Sequence, residues 1–152
     1  MIIESLSFMQ GGFIPPRHTC DGQNLSPPLF WRDLPADTKS LALIVDDPDA
    51  PDPASPKMTW VHWVLYNIPP DAGGLQEGAT PRGARAGMND SHKPEYSGPC
   101  PPIGRHRYFF RLYALDILLQ DLGSPVKAVL LKAMQGHVIG NAQLIGLYER
   151  QN

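Results

Sequence analysis

Apolar residues occur along this chain in short runs of strand length, separated by segments rich in proline and glycine. Ile2 to Phe8 reads as a first strand closed by Gly11–Gly12, and Leu29 to Trp31 as a short second one. Ser40-Leu-Ala-Leu-Ile-Val-Asp46 is too short for a helix and runs into proline-rich chain, which favours a central strand. Thr59 to Ile68 combines Trp, Val, Tyr and Ile, residues suited to a buried strand, and Tyr108 to Asp116 has the same character. Between Asp46 and Thr59, the segment Asp47 to Pro56 holds four prolines in ten residues and is expected to be a rigid, exposed loop. Residues 14–28 and 69–105 also read as long loops. The second is long enough to suggest a functional segment.

The pattern changes after Gly123-Ser-Pro125. Ser124 offers a cap, Pro125 suits the first helical position, and Val126, Val129, Leu130 and Ala133 fall on one face of a helix that Gly136 stops. The last segment, Ala142 to Tyr148, is ambiguous by period. As a strand it places Ala142, Leu144, Gly146 and Tyr148 on one face.

Composition sharpens this picture. The 152 residues suit a single domain, 1–152, with a real core. Seventeen prolines are about twice what average usage of roughly 5% gives. With 14 glycines they argue for many turns and short strands, and their mixing with Trp, Tyr, Ile and Val argues against disorder. A net charge of −2 and one short basic cluster, Arg105–His106–Arg107, give no footprint for nucleic acid. No stretch approaches the roughly 18 apolar residues of a membrane span. The N-terminus does not read as a signal peptide, so the expected location is the cytoplasm. Cys20 and Cys100 form no CxxC motif, and in a reducing compartment two free thiols are expected. A long-range disulfide is the alternative, because the required Cα separation cannot be read from sequence.

Candidate chemistry lies in four places: Asp46-Asp-Pro-Asp-Ala-Pro51 after a strand, His62 inside one, Gly98-Pro-Cys-Pro-Pro102 in a loop, and His106-Arg-Tyr108 entering a strand. Singly, each has a plain reading as a turn, a structural histidine or a stiff connector. Together they place Asp47 and Asp49 past a strand end, near His62 and His106 of neighbouring strands. His106 and Tyr108, two apart, can project into one cavity. Two imidazoles, a phenol and backbone N–H groups make a donor-rich hollow suited to phosphate or carboxylate. The aspartates then orient or protonate the histidines.

These motifs resemble the phosphatidylethanolamine-binding protein family, which includes Raf kinase inhibitor proteins and smaller bacterial and archaeal relatives. The resemblance rests on Asp47-Pro-Asp-Ala-Pro51, Trp60-Val-His-Trp-Val-Leu-Tyr-Asn67 and Gly98-Pro-Cys-Pro-Pro-Ile-Gly-Arg-His-Arg-Tyr-Phe-Phe-Arg-Leu-Tyr-Ala-Leu115. Thr19-Cys-Asp-Gly22, Ser26-Pro-Pro-Leu29 and Gly136-His137 suggest the shorter, bacterial-type branch. The resemblance implies a mainly β fold: a Greek-key sandwich of two antiparallel sheets with one or two short helices, often with cis-prolines near the pocket. It implies that Asp47, Asp49, His62, Gly98, Pro99, His106 and Tyr108 surround a cavity holding phosphate, acetate or a phosphorylated head group.

The function expected is therefore binding of a small phosphorylated or carboxylated ligand, with regulation of a protein partner such as a kinase as an inherited extension. No cofactor is expected. The alternative is a metal- or histidine-dependent hydrolase in the same pocket. Asp47, Asp49, His62 and His106 are acceptable metal ligands by type but follow no compact metal motif, and neither a Ser–His–Asp nor a Cys–His pair can be nominated. An interaction module without a small ligand leaves both polar clusters unexplained. Trp31, Trp60 and Trp63 read as core or pocket wall, and His18, His92 and His137 as structural or exposed. Family members are dimers or monomers, and this sequence does not choose between the two.

Overall fold

The computed structural model describes residues 1–151. Its strands are β1 (Ile2–Glu4), β2 (Leu29–Arg32), β3 (Ser40–Ala50), β4 (Met58–Ile68), β5 (Gly74–Leu75), β6 (Arg85–Ala86), β7 (His106–Leu115) and β8 (Val138–Tyr148). One α-helix, α1 (Lys127–Met134), precedes β8, and single 3-10 turns lie at Pro16–His18 and Pro70–Ala72. The strands form two antiparallel sheets, a small one in the order β1-β2-β5 and a large one in the order β6-β4-β3-β7-β8.

The central position of β3 explains its unbroken apolar run, because both of its faces are covered. Leu41, Leu43 and Val45 meet Ile3, Leu29 and Trp31 of the small sheet, while Ala42 and Ile44 pack with Leu130 and Met134 of α1. The cores on either side of the large sheet thus share β3, as they also share β4 and β7. Trp31 and Trp63 belong to the inter-sheet core.

Several sequence expectations need correction. β3 does not stop at Asp46 but continues through Asp47, Asp49 and Ala50, all buried, so the exposed proline-rich loop starts at Pro51. The Asp47 carboxylate accepts the Asp49 N–H at 2.7 Å, and Ala50 still pairs with Met58. The register irregularity between Asp47 and Ala50 accommodates Pro48, which has no N–H for a ladder. The first strand is only three residues long. The helix is capped at Val126 without a side-chain bond, rather than at Ser124. Its buried face is Leu130 and Met134, one turn apart, whereas Val126 and Val129 are half exposed. A two-turn helix lying on a sheet needs only a narrow apolar stripe. The ambiguous last segment is an eleven-residue strand.

β4 carries the irregularity that matters most for the site. Val45 pairs with Trp63 but Asp46 pairs with Val61, so His62 is an extra residue in β4. In a regular strand His62 and Trp63 would point to opposite faces. At this β-bulge Val61 joins the helix-side core, Trp63 the inter-sheet core, and His62 turns toward the same side as Trp63.

Candidate functional site

Where β3, β4 and β7 approach the end of the large sheet, a cavity of about 360 Å³ opens against the segment 91–102. Asp47, His62, Gly98, His106 and Tyr108 line it, with Trp60. His106 and Tyr108 do share a face of β7, their rings parallel within 17° at 6.3 Å, and His62 meets the Tyr108 ring edge-on at 5.3 Å. Two of the seven nominated residues do not line the cavity. Asp49 is turned outward, where Arg107 donates to it from Nε, Nη2 and the backbone N–H at 2.9–3.0 Å. Those bonds hold the Asp49 carboxyl below the usual carboxylate range. Pro99 is buried behind the wall, its carbonyl accepting the Cys20 N–H at 3.1 Å.

His106 is committed inside the protein. Its Nδ1 lies 2.6 Å from Asp47 Oδ2 and its Nε2 2.9 Å from the Ile103 carbonyl oxygen. Both ring nitrogens thus face an oxygen of the protein. The pair sets the imidazole ring against a carboxylate, nearly sealed from water. The aspartate expected to orient a histidine does so at Asp47 only. Asp46, one residue earlier, faces the other way and sits fully buried between Arg111, at 3.0 Å, and Lys127, at 2.6 Å.

His62 is held differently. Its Nδ1 donates to the Ser97 carbonyl at 2.6 Å, which fixes the proton there. Burial pushes its pKa below the ordinary histidine value, with the nearby carboxylates of Asp47, Asp46 and Asp90 acting weakly in the other direction. Tyr108 is 1% exposed, and its hydroxyl has no hydrogen-bond partner among the described residues. Burial, reinforced by the Asp47 charge, drives the phenol pKa up, so the group stays an O–H.

The cavity wall is stitched by contacts the sequence did not reveal. Asn24 Oδ1 accepts the Gly98 N–H at 2.8 Å, and the Tyr96 hydroxyl donates to the His18 carbonyl at 2.6 Å. Gly98 is glycine for want of space: a Cβ there would collide with the His18 carbonyl oxygen and Asn24 Oδ1. These bonds run the loop holding Cys20 alongside the loop holding Cys100 and bring their Cα atoms to 5.4 Å. The two cysteines are disulfide-bonded rather than free thiols. Cys100 is therefore no nucleophile. The Ala50–Pro51 bond on the cavity rim is cis. Trp60 sits on the wall rather than in the core, as its position two residues before His62 could have suggested. Ser97, which acts through its carbonyl, left no signal. His18 is fully buried, bonded to the Leu25 carbonyl and the Ser7 hydroxyl, and is structural.

No helix is long and apolar enough to cross a membrane among the described residues. The model of the family described as "phosphatidylethanolamine-binding protein" matches residues 4–149. A Methanothermobacter thermautotrophicus protein called UPF0098 is 53% identical over 99% of both chains. The crystal structure of a protein described as a putative phosphatidylethanolamine-binding protein homologue, from Chlamydia trachomatis, superposes with a TM-score of 0.93. It is 43% identical, covering 99% of this chain and 97% of that one. Escherichia coli YbcL gives a TM-score of 0.87 at 30% identity over 98% of both chains. Motif, fold and relatives agree, and the chain belongs to the phosphatidylethanolamine-binding protein family.

Proposed function

We propose that the chain is a binding protein for a small phosphorylated or carboxylated anion, held in the cavity between Tyr108, His62 and the His106–Asp47 pair. The observation that carries this reading is the Tyr108 hydroxyl, a buried donor without a partner, on the cavity wall. Leaving such a group unpaired costs about 1–3 kcal/mol, and an oxyanion removes that cost. The cavity has room for a tetrahedral anion with an organic substituent. Regulation of a protein partner, a kinase included, would be a second activity built on the same pocket. Pull-down of phosphoprotein partners with and without His106→Ala separates the two.

The test is an NMR titration of the imidazole resonances with inorganic phosphate and then phosphoethanolamine, in metal-free buffer. Saturable shifts at His62 and His106, absent from the exposed His92, support binding in the cavity. Unmoved resonances at both would remove the binding function and leave the fold standing.

A further inference from the structure

The three-stranded sheet is too narrow to cover the five-stranded one. It leaves the inter-sheet face of β4 and β6 to loops, and a second cavity of about 330 Å³ lies there. No residue lines both this cavity and the one at the end of β3, β4 and β7. Trp63 and Leu65 of β4, each 2% exposed, form its floor, and Ala86 of β6 pairs beside Leu65. Its buried side chains offer donors. The Trp63 indole N–H has no hydrogen-bond partner among the described residues, yet unlike the Trp31 N–H it is not sealed off. The small surface that Trp63 shows therefore includes this N–H, opening onto the second cavity. Ser26, 5% exposed, accepts the Gly78 N–H at 3.1 Å, and its own hydroxyl proton has no acceptor among the described residues. At the exposed rim stand Asn24, Thr80 and Glu95. Asn24 Oδ1 is committed to the Gly98 N–H, which leaves its NH2 as the free end. The Tyr96 hydroxyl is committed to the His18 carbonyl, so Tyr96 contributes only its ring, edge-on to Trp63 at 5.4 Å.

We propose that this second cavity binds an amide, its carbonyl oxygen on the Trp63 N–H and its nitrogen turned to Glu95 at the rim. A buried donor left unpaired is costly, and a ligand carbonyl removes that cost. A carbonyl oxygen has two lone pairs and no hydrogen of its own, which suits a floor whose buried side-chain groups donate. The nitrogen of the same group carries N–H donors, for which the Glu95 carboxylate is the acceptor. The walls between floor and rim are apolar, with Leu25, Leu65, Ala84 and the Tyr96 ring, and accommodate an aliphatic side chain. Charge sets this ligand class apart from that of the anion cavity. The lining holds one carboxylate and no Lys, Arg or His, so an anion meets a like charge with nothing to offset it. A neutral amide is free of that repulsion, and one bearing a protonated amine is attracted to Glu95. The same group occurs in a free amino-acid amide and in a peptide chain.

The experiment follows the three indole N–H resonances by NMR near neutral pH, assigned with Trp31→Phe and Trp60→Phe. The probes are N-acetyl-leucinamide, leucinamide, leucinol, N-acetyl-leucine and the capped tripeptide N-acetyl-alanyl-leucyl-alaninamide. Both leucinamides are expected to shift the Trp63 resonance saturably and to leave that of Trp60, in the other cavity, unmoved. N-acetyl-leucine, which carries a carboxylate, should bind at least about tenfold more weakly than N-acetyl-leucinamide. Leucinol keeps the amine and side chain of leucinamide but lacks the carbonyl, and should also bind more weakly. Glu95→Gln, a change at an exposed side chain, should narrow the gap between N-acetyl-leucine and the neutral amide. Tripeptide binding above N-acetyl-leucinamide identifies a peptide chain as the better source of the group, and the reverse identifies a free amide. A Trp63 resonance unmoved by every probe up to its solubility limit overturns the inference, as does a shift confined to Trp60. Equal affinity for leucinol and leucinamide, or for N-acetyl-leucine and its amide, overturns it too. Each of these failures leaves anion binding in the first cavity intact, because the two linings are separate.

Discussion

His106 Nδ1 lies 2.6 Å from Asp47 Oδ2, a buried contact between side chains 59 residues apart in the chain. It ties β3 to β7 at the end of the sheet where their backbone pairing stops, since the last paired residues are Asp46 and Phe109. Removing one member of a buried ion pair leaves the other uncompensated. Asp47→Asn should therefore lower unfolding stability by about 3 kcal/mol. Urea denaturation reads this as a lower midpoint at unchanged slope. A loss under about 1 kcal/mol would equate the pair with an exposed one.

Tyr108→Phe separates binding from stability. The hydroxyl has no protein partner, so its removal should leave stability unchanged or raise it by up to about 1 kcal/mol. Phosphate affinity should fall about tenfold, the equivalent of about 1.4 kcal/mol. A destabilised variant with undiminished phosphate binding would contradict both expectations.

Acid should weaken the fold in a window set by histidines. Burial lowers the folded-state pKa of both His62 and His18. Unfolded, each titrates near about 6.5. Between the folded and unfolded values the unfolded chain binds more protons, so stability rises with pH there. The contribution is complete above about 6.5 and is lost as pH falls toward the folded values. Thermal melts at stepped pH should show this decline, and His18→Gln should flatten part of it. Asp49 adds a separate acid loss lower down, as pH falls below the unfolded carboxylate value of about 3.9 toward its depressed folded one.

The Cys20–Cys100 bond closes 80 residues of chain. Loops of this size are stabilised by a cross-link by about 2–4 kcal/mol. Replacing both cysteines by serine should lower the urea midpoint accordingly, and reductant should do the same to the wild type. Thiol titration of the protein in denaturant without reductant checks the premise: free thiols there would restore the unbridged reading.

Much of the frame was legible in the sequence because its strands are buried on one face or both. The run Leu41–Val45 is apolar throughout, which only a strand covered on two sides requires. His106 and Tyr108 share a face by simple alternation. Three features resisted. Pro48 and Pro51 disguised the end of β3 as a loop, since the irregular ladder that tolerates Pro48 depends on the neighbouring strand. The proximity of Cys20 to Cys100 is created by Asn24, Tyr96 and the backbone of His18, a tertiary arrangement without local pattern. The proton position on His62 is set by a carbonyl, and every residue type has one.

The extra residue in β4 has a consequence for comparing sequences. Whether the imidazole at position 62 faces the cavity depends on strand length as much as on the histidine itself. A deletion of one residue between Trp60 and Trp63 could keep every hydrophobic landmark aligned yet swing a different side chain into the cavity. Alignment gaps in this strand thus carry functional information that a conserved histidine column hides. A relative with Trp-His-Trp in place of Trp-Val-His-Trp would have kept the histidine and lost the site.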